Sequence, residues 1–411
     1  MKILFLHQNF PGQFKHLAPA LVALGHEVHA LQLTKNPAFD WQGVKVHTYY
    51  PQRGSTPQIH PWVIDIEAKA IRGETVLRWA LEVKKRGFSP DTVIAHPSWG
   101  ESLFIKHVWP ATKLGLFYEM YYQVDGQDVH FDPEFSKPEI CVDSRLLMKN
   151  AIQILQNQFA DAAISPTHWQ AGTYEPEVQK KITVVHDGID TQAIKPDALA
   201  RLTLENGQSW SRQNEVVTFV SRNLEPYRGY HVFMRALPQL LRLRPQAQVL
   251  IVGSDGVSYG AKPPTGQTWK QIYIDEVRAQ ISDADWQRVH FLGRLSYPQF
   301  LNMLRISSVH VYLTYPFVLS WSLIEAMSSG CAILASDTAP VREAIEDGVT
   351  GRLLPFFDPQ AWAHGIDTLL NDPAERTRLG AQARQRAVEQ YDLQTVCLPS
   401  QLQWVQDLAG K

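Results

Sequence analysis

Arg222 and Arg228 stand six residues apart at the end of an apolar run, 217–221, and Gly229 follows at once. About a hundred residues later Ser320-Trp321-Ser322 opens a helical pattern that carries Glu325 one turn inside it. Two guanidiniums fixed after a strand can answer the growing negative charge of a departing diphosphate, an effect worth roughly 3–4 kcal/mol per key donor. Gly229 lets the next helix start close to a phosphate. Backbone N–H groups around Ser320, Trp321 and Ser322 are expected to meet phosphate oxygens at a helix start. A carboxylate at Glu325 can accept both hydroxyls of a ribose. Together these residues describe a pocket for a nucleoside diphosphate. Each has an ordinary reading as well: arginines often flank turns, and a first-turn glutamate complements the helix dipole.

Other positions are thinner. The loop of residues 7–14 contains Gly12, a donor-binding candidate because it permits close backbone approach, but it is not a GxGxxG and does not support an NAD-type site. Gly253 stops a strand at Gly253-Ser-Asp-Gly256 and joins the donor-binding candidates. His96 ends a strand ahead of Trp99, Gly100 and Glu101, and is a candidate for contacting a sugar hydroxyl or guiding an acceptor. Tyr118, Glu119 and Tyr122 follow a strand-like run and could line the acceptor side. Asp283-Ala-Asp285 matches a metal-holding DxD pattern, yet reads better as a solvated loop. Asp125, Asp128, His130, Asp132 and Glu134 are rich in oxygen ligands but fit no EF-hand, so a polar loop is the better reading. No metal ligand is assigned.

These candidates need elements to carry them. Strand patterns at 3–6, 28–31, 92–95, 162–164 and 182–185 alternate with helical ones, as they do again at 216–220, 249–252, 289–292, 309–313 and 332–335. That β-α-β rhythm implies parallel sheets covered on both faces. The expected fold is α/β, two Rossmann-like domains facing a central cleft, with ligands beyond the carboxyl ends of the strands. The expected boundaries are 1–195 for an acceptor-side domain, a polar linker at 196–213, and 214–390 for a nucleotide-sugar domain. The tail 391–411 is expected to pack back on the first domain as helix.

Composition agrees with a globular protein: 45% of its 411 residues are hydrophobic and 19% charged. A formal charge of −2, from 39 basic and 41 acidic residues, gives no general field for nucleic acid. Three scattered cysteines without CxxC fit a reducing compartment and a cytoplasmic setting. The opening residues read as a first strand rather than a leader, and no run reaches the ~20 apolar residues of a membrane span. The pattern at 75–86 mixes Leu77, Trp79 and Val83 with Arg78, Lys84 and Arg86. That suits peripheral contact with an anionic membrane, although core on one side and solvent on the other is the commoner explanation.

From about 217 to 355 the chain resembles the retaining GT-B glycosyltransferases of family 4, also called glycosyl transferases group 1. Arg222 and Arg228 match that family's diphosphate pair, and Gly293-Arg294-Leu295 its base-reading turn, so Arg294 and Leu295 are expected to contact the donor. Residues 185–190 resemble its junction turn, and Glu343 and Gly351 fall on two further family elements. Glu325 matches the second of two signature glutamates; Phe317 stands where the first is expected, with Val318 and Ser320 in place of glycines. The resemblance implies transfer of a hexose-type sugar, UDP- or GDP-linked, to a carbohydrate, lipid-linked or other hydroxyl acceptor. Configuration would be retained, with no metal and no cofactor beyond the donor. Arg222, Arg228 and His96 are the expected catalytic residues. The alternatives are a nucleotide-sugar-binding protein without turnover and a nucleotide-sugar 2-epimerase.

Overall fold

Runs rich in Val, Ile, Leu and Ala make the central strands, buried on both faces, and with shorter edge strands sixteen result among the described residues. The computed structural model describes residues 1–136 and 139–410. The chain folds as two compact units.

The first unit comprises 1–125, 137–188 and 394–411. Its strands are β1 (Lys2–Leu6), β2 (Glu27–Leu33), β3 (Phe39–Trp41), β4 (Val44–Tyr49), β5 (Thr92–Ala95), β6 (Lys113–Phe117), β7 (Ala162–Ser165) and β8 (Ile182–Val184). They form one sheet in the order β3-β4-β2-β1-β5-β6-β7-β8, parallel except where β3 runs antiparallel to β4. The order reverses between β1 and β5, which makes the gap after Leu6 and Ala95 the topological switch point of this sheet.

The second unit comprises 126–136 and 189–393. A short hairpin of β9 (Arg201–Thr203) and β10 (Ser209–Ser211) precedes β11 (Val216–Asn223), β12 (Gln248–Ser254), β13 (Val289–Gly293), β14 (Val309–Tyr312), β15 (Ile333–Ser336) and β16 (Arg352–Leu354). The last six make a parallel sheet in the order β13-β12-β11-β14-β15-β16, whose switch point lies between β11 and β14. The helix Tyr230–Leu243 buries Val232, Phe233, Ala236, Leu237, Leu240 and Leu241, the face its periodicity predicts.

Chain order and spatial grouping part company in two places. Residues 126–136 group with the second unit although they precede β7, and 394–411 group with the first. Within the stretch 196–213, expected as a linker, residues 201–211 fold as the β9–β10 hairpin. Leu202 and Trp210 anchor it in the second unit's core, and Asn206-Gly207 supply its turn, Gly207 at φ +85°. The strands β3, β9 and β10 escape a reading of the sequence because three-residue strands carry too few positions for periodicity. In the helix Pro61–Lys85, Leu77, Trp79 and Val83 pack against the first unit's core, while Arg78 and Lys85 pair with Glu74 and Glu82. Among the described residues no helix is long and apolar enough to cross a membrane.

Candidate functional site

The second unit brings its candidate residues to one edge because its strands are parallel, with a register shift between Val220 and Asn223 of β11 and another before Gly293 of β13. Val220 pairs with Val252, Asn223 with Ser254, and Val252 with Gly293. Arg222, Gly253 and Arg294 therefore lie at the carboxyl ends of three adjacent strands, neighbours being about 4.8 Å apart. Arg294 Nε donates to Ser254 Oγ over 2.6 Å, which ties the end of β13 to the end of β12. Leu295 packs against the core instead of standing in solvent. Gly253 is buried, and a Cβ there would come within 2.7 Å of Leu224 Cδ2.

Arg222 is exposed and has no hydrogen-bond partner among the described residues. Arg228 is different. It is only 8% exposed; its Nη1 donates to Thr314 Oγ1 at 2.6 Å and to the Val318 carbonyl at 3.2 Å. Those partners follow β14, so Arg228 spans the β11–β14 switch point. Gly229 is left-handed at φ +69°, and a Cβ would lie 2.2 Å from Leu313 Cβ. No other residue type fits this turn without moving β14. Glu225 is fully buried between the arginines, and its carboxylate accepts from the N–H groups of Ser258 at 3.1 Å and Gly260 at 3.4 Å. It thereby folds the loop after β12 over the site.

Phe317 sits in an aromatic group with Tyr227 and Tyr259. Its ring lies 5.0 Å from the first and 4.9 Å from the second, with the Arg228 guanidinium carbon 5.7 Å from its centroid. Tyr259 faces the same guanidinium at 5.4 Å. Aromatic faces thus attract the cation where the sequence resemblance leads one to expect a carboxylate.

The helix Trp321–Ser328 is capped by Ser320, whose Oγ accepts from the Ser322 N–H at 3.3 Å. The Ser320 N–H donates to Tyr312 Oη at 2.9 Å. The N–H groups of Ser320 and Ser322, expected to be open for phosphate, are therefore already satisfied; the capping serine competes for them. Glu325 is buried and accepts from Tyr297 Oη at 2.7 Å. Tyr297 carries no signal in the sequence, since it caps nothing and lies 28 residues from its partner.

In the first unit His7 follows β1 and His96 follows β5, at that sheet's switch point, with ring centroids 5.9 Å apart. His96 has no exposed surface. It stacks on Trp99 at 4.0 Å, its Nδ1 accepts from the Ser98 N–H, and its Nε2 lies 3.4 Å from Glu119 Oε2. His96 is thus held inside the wall and does not present its ring to a ligand. His7 bonds Gln13 at 2.8 Å, and Gln13 bonds Glu119 at 2.9 Å. Burial, reinforced by His96, pulls the His7 pKa down to about 4, so the ring is neutral at pH 7. Burial raises the Glu119 pKa, but hydrogen bonds from His96 and Gln13 outweigh it and hold the carboxyl below its ordinary value. Gly12 covers this relay: a Cβ there would meet His7 Cε1 at 2.3 Å. Beside it is a hollow of about 340 Å3 lined by Trp99, Tyr122, Arg72, Lys149 and the ion pair of Lys69 with Asp65, 2.5 Å apart.

The two oxygen-rich patterns have structural employment. Asp283 and Asp285 pair with Arg278 and Arg288 around a short helix, and Ser282 caps that helix through the Asp285 N–H while donating to the Asp285 carboxylate. Asp132 accepts from Tyr315 Oη and faces His231 Nε2 at 3.0 Å, while Glu134 is held by Arg235 at 2.6 Å. Asp132, Glu134 and His231 offer ligand atoms within 4.8 Å of one another, but Tyr315 and Arg235 already occupy the two carboxylates.

Residues 24–194 match the description Glycosyl transferase family 4 group, and residues 204–386 match Glycosyl transferases group 1. A D-inositol 3-phosphate glycosyltransferase of Streptomyces avermitilis is 29% identical over 241 residues, 56% of this chain and 48% of that one. This chain thus spans about half the length of that curated relative. Two solved structures share the fold. A sucrose-phosphate synthase from Thermosynechococcus elongatus superposes with a TM-score of 0.74 at 18% identity, covering 100% of both chains. HepE of Anabaena, in complex with UDP and glucose, superposes with a TM-score of 0.67 at 19% identity, covering 99% of this chain and 100% of that one.

Proposed function

The chain belongs to the glycosyltransferases of family 4, the glycosyl transferases group 1, and from that premise we propose that it moves a hexose-type sugar from a nucleotide-linked donor to an acceptor hydroxyl. The observation that carries the proposal is the β11–β14 switch point, where Arg222, Arg228 and the Glu325 helix all belong to strand ends of one sheet. Arg222 projects an uncommitted charge and Arg228 a rigidly held one; the pair meets the diphosphate as it leaves. Glu325, polarised by Tyr297, takes the ribose hydroxyls, and the Arg294 turn meets the base. In this reading the anomeric configuration is retained through attack on the face that the diphosphate leaves. That route needs no protein nucleophile, and the phenyl ring of Phe317 could not supply one. The leaving charge is met by arginine without a metal ion, and no cofactor is required beyond donor and acceptor.

A uridine diphosphate donor is supported by the likeness to HepE in complex with UDP and glucose. An acceptor carrying negative charge is supported by Arg72 and Lys149, which exceed the Lys69–Asp65 pair in that hollow, and by the phosphate in the names of two of the proteins this chain resembles. His96 and Glu119 act there as positioning residues behind the wall. Phe317 favours a second reading, donor binding without turnover.

Calorimetric titration with UDP and GDP, followed by assay of diphosphate release from UDP- and GDP-linked hexoses with phosphorylated polyols as acceptors, separates these. One nucleoside diphosphate should bind and its sugar should be transferred. Binding with no release for any acceptor supports the second reading. Absence of binding by either nucleotide removes both.

A further inference from the structure

The second unit has a hollow of about 520 Å3 at the amino ends of its strands, the end opposite the nucleotide candidates. Arg212 precedes β11, Ser307 and Ser308 precede β14, and Ala332 precedes β15. The other wall is one face of the helix Pro373–Tyr391, where Arg376, Gly380, Ala381 and Arg384 recur at helical spacing. That helix approaches closely because position 380 has no side chain: a Cβ there would sit 2.3 Å from the Gly330 carbonyl.

Three arginines line the hollow and, among the described residues, no carboxylate does. Many other arginines of this chain pair with acids, as in Arg78 with Glu74, Arg145 with Glu139, Arg342 with Asp337 and Arg352 with Glu375. Here the guanidiniums are held by carbonyls instead. Arg376 Nη1 donates to Leu369 O and Leu370 O, each at 2.6 Å; Arg384 Nη1 donates to Ser328 O at 2.6 Å and its Nη2 to Thr191 O at 3.1 Å. Carbonyls fix an arginine in place without cancelling its charge. The acids whose charge reaches these arginines are Glu215 and Asp372 at Arg376 and Asp392 at Arg384. Glu215 is bound by Arg244, and Asp372 accepts from the Glu375 N–H at 2.9 Å. Arg212 is exposed and hydrogen-bonds nothing among the described residues. Burial depresses the pKa of both Arg376 and Arg384, a desolvation strain that an anion would relieve.

We propose that this hollow is a second ligand site, distinct from the nucleotide site, that takes a small phosphate-bearing metabolite of the sugar or polyol class. The arginine forks match a phosphate in charge and geometry. The volume lies within the range of small-molecule sites and exceeds what a bare phosphate fills. Thr377 lines the same wall, its hydroxyl donating to the Pro373 carbonyl at 2.8 Å and left to accept from the remainder of such a ligand. The proposal stands whether or not the chain transfers sugar.

The test is calorimetric titration of the full chain at low salt with two probes, glucose 6-phosphate and inorganic phosphate. Wild type is compared with Arg212→Ala, Ala381→Glu, Arg222→Ala and Lys69→Ala. Positions 212 and 381 are exposed, so both substitutions should leave the melting temperature unchanged, and circular dichroism checks that. Saturable binding of either probe is expected, weakened at least tenfold by Arg212→Ala, abolished by Ala381→Glu, and untouched by Arg222→Ala or Lys69→Ala. If neither probe saturates, the proposal fails. It fails equally if Arg222→Ala or Lys69→Ala removes the binding while Arg212→Ala and Ala381→Glu leave it, since the ligand would then sit at the nucleotide edge or in the first unit.

Discussion

Arg222 and Arg228 share a charge but not an environment, and their substitution should separate the two kinds of contribution. Arg222 is exposed and uncommitted, so Arg222→Ala should lower turnover by roughly a hundredfold or more and change stability by less than about 0.5 kcal/mol. Arg228 bonds Thr314 and Val318 from a buried position. Arg228→Ala should therefore lower turnover and also cost about 1–3 kcal/mol of stability, because it strands buried acceptors. Urea unfolding beside steady-state kinetics checks the pair; equal stability losses for the two variants would contradict the assignment. Both arginines were legible in the sequence because they follow an apolar run at a spacing that strands and turns impose. Their difference in burial was not, since it depends on Thr314 and Val318, about ninety residues away.

The turn from β11 into the helix Tyr230–Leu243 shows how an element positions these groups. Gly229 meets two demands at once, a left-handed backbone and contact with Leu313. Gly25 also has a positive φ, +82°, but nothing lies within 4 Å of a Cβ there. Gly25→Ala should cost about 1 kcal/mol, the backbone term alone. Gly229→Ala adds an overlap with β14 and should cost more than about 2 kcal/mol, with loss of nucleotide binding as Arg228 shifts. Thermal and urea denaturation of the two variants provides the comparison, and similar costs would show that the β11–β14 approach is unimportant. The long strands and the Tyr230–Leu243 face were readable from periodicity. The β9–β10 hairpin was not: with three residues in each strand it has no period to detect, and it exists because Leu202 and Trp210 find a core.

Over the whole molecule, burial of neutral histidines makes stability depend on pH. His7, His186 and His310 are each lowered from 6.5 to about 4, in every case chiefly by burial. As pH falls through 6.5 the unfolded chain takes up protons that the folded chain refuses until about 4, so stability is lost across that window and is insensitive to these groups above 7. The loss should be on the order of 2 kcal/mol for each histidine by about pH 5. Urea midpoints measured from about pH 7.5 down to about 5 should decline steadily; a constant midpoint would contradict the burial of these rings as neutral groups. What the sequence by itself determined was the α/β class, the doubling of the Rossmann-like unit, the strand-end placement of Arg222 and Arg294, and Glu325 on the helix that follows β14, because hydrophobic periodicity and turn chemistry are local. What only the tertiary structure decided was which residues join which unit, as with 126–136 and 394–411, the aromatic surroundings of Phe317, the enclosure of His96, and the arginines held by carbonyls rather than acids at the far end of the second sheet. Each of these depends on side chains distant in sequence meeting in space, and no local pattern encodes such a meeting.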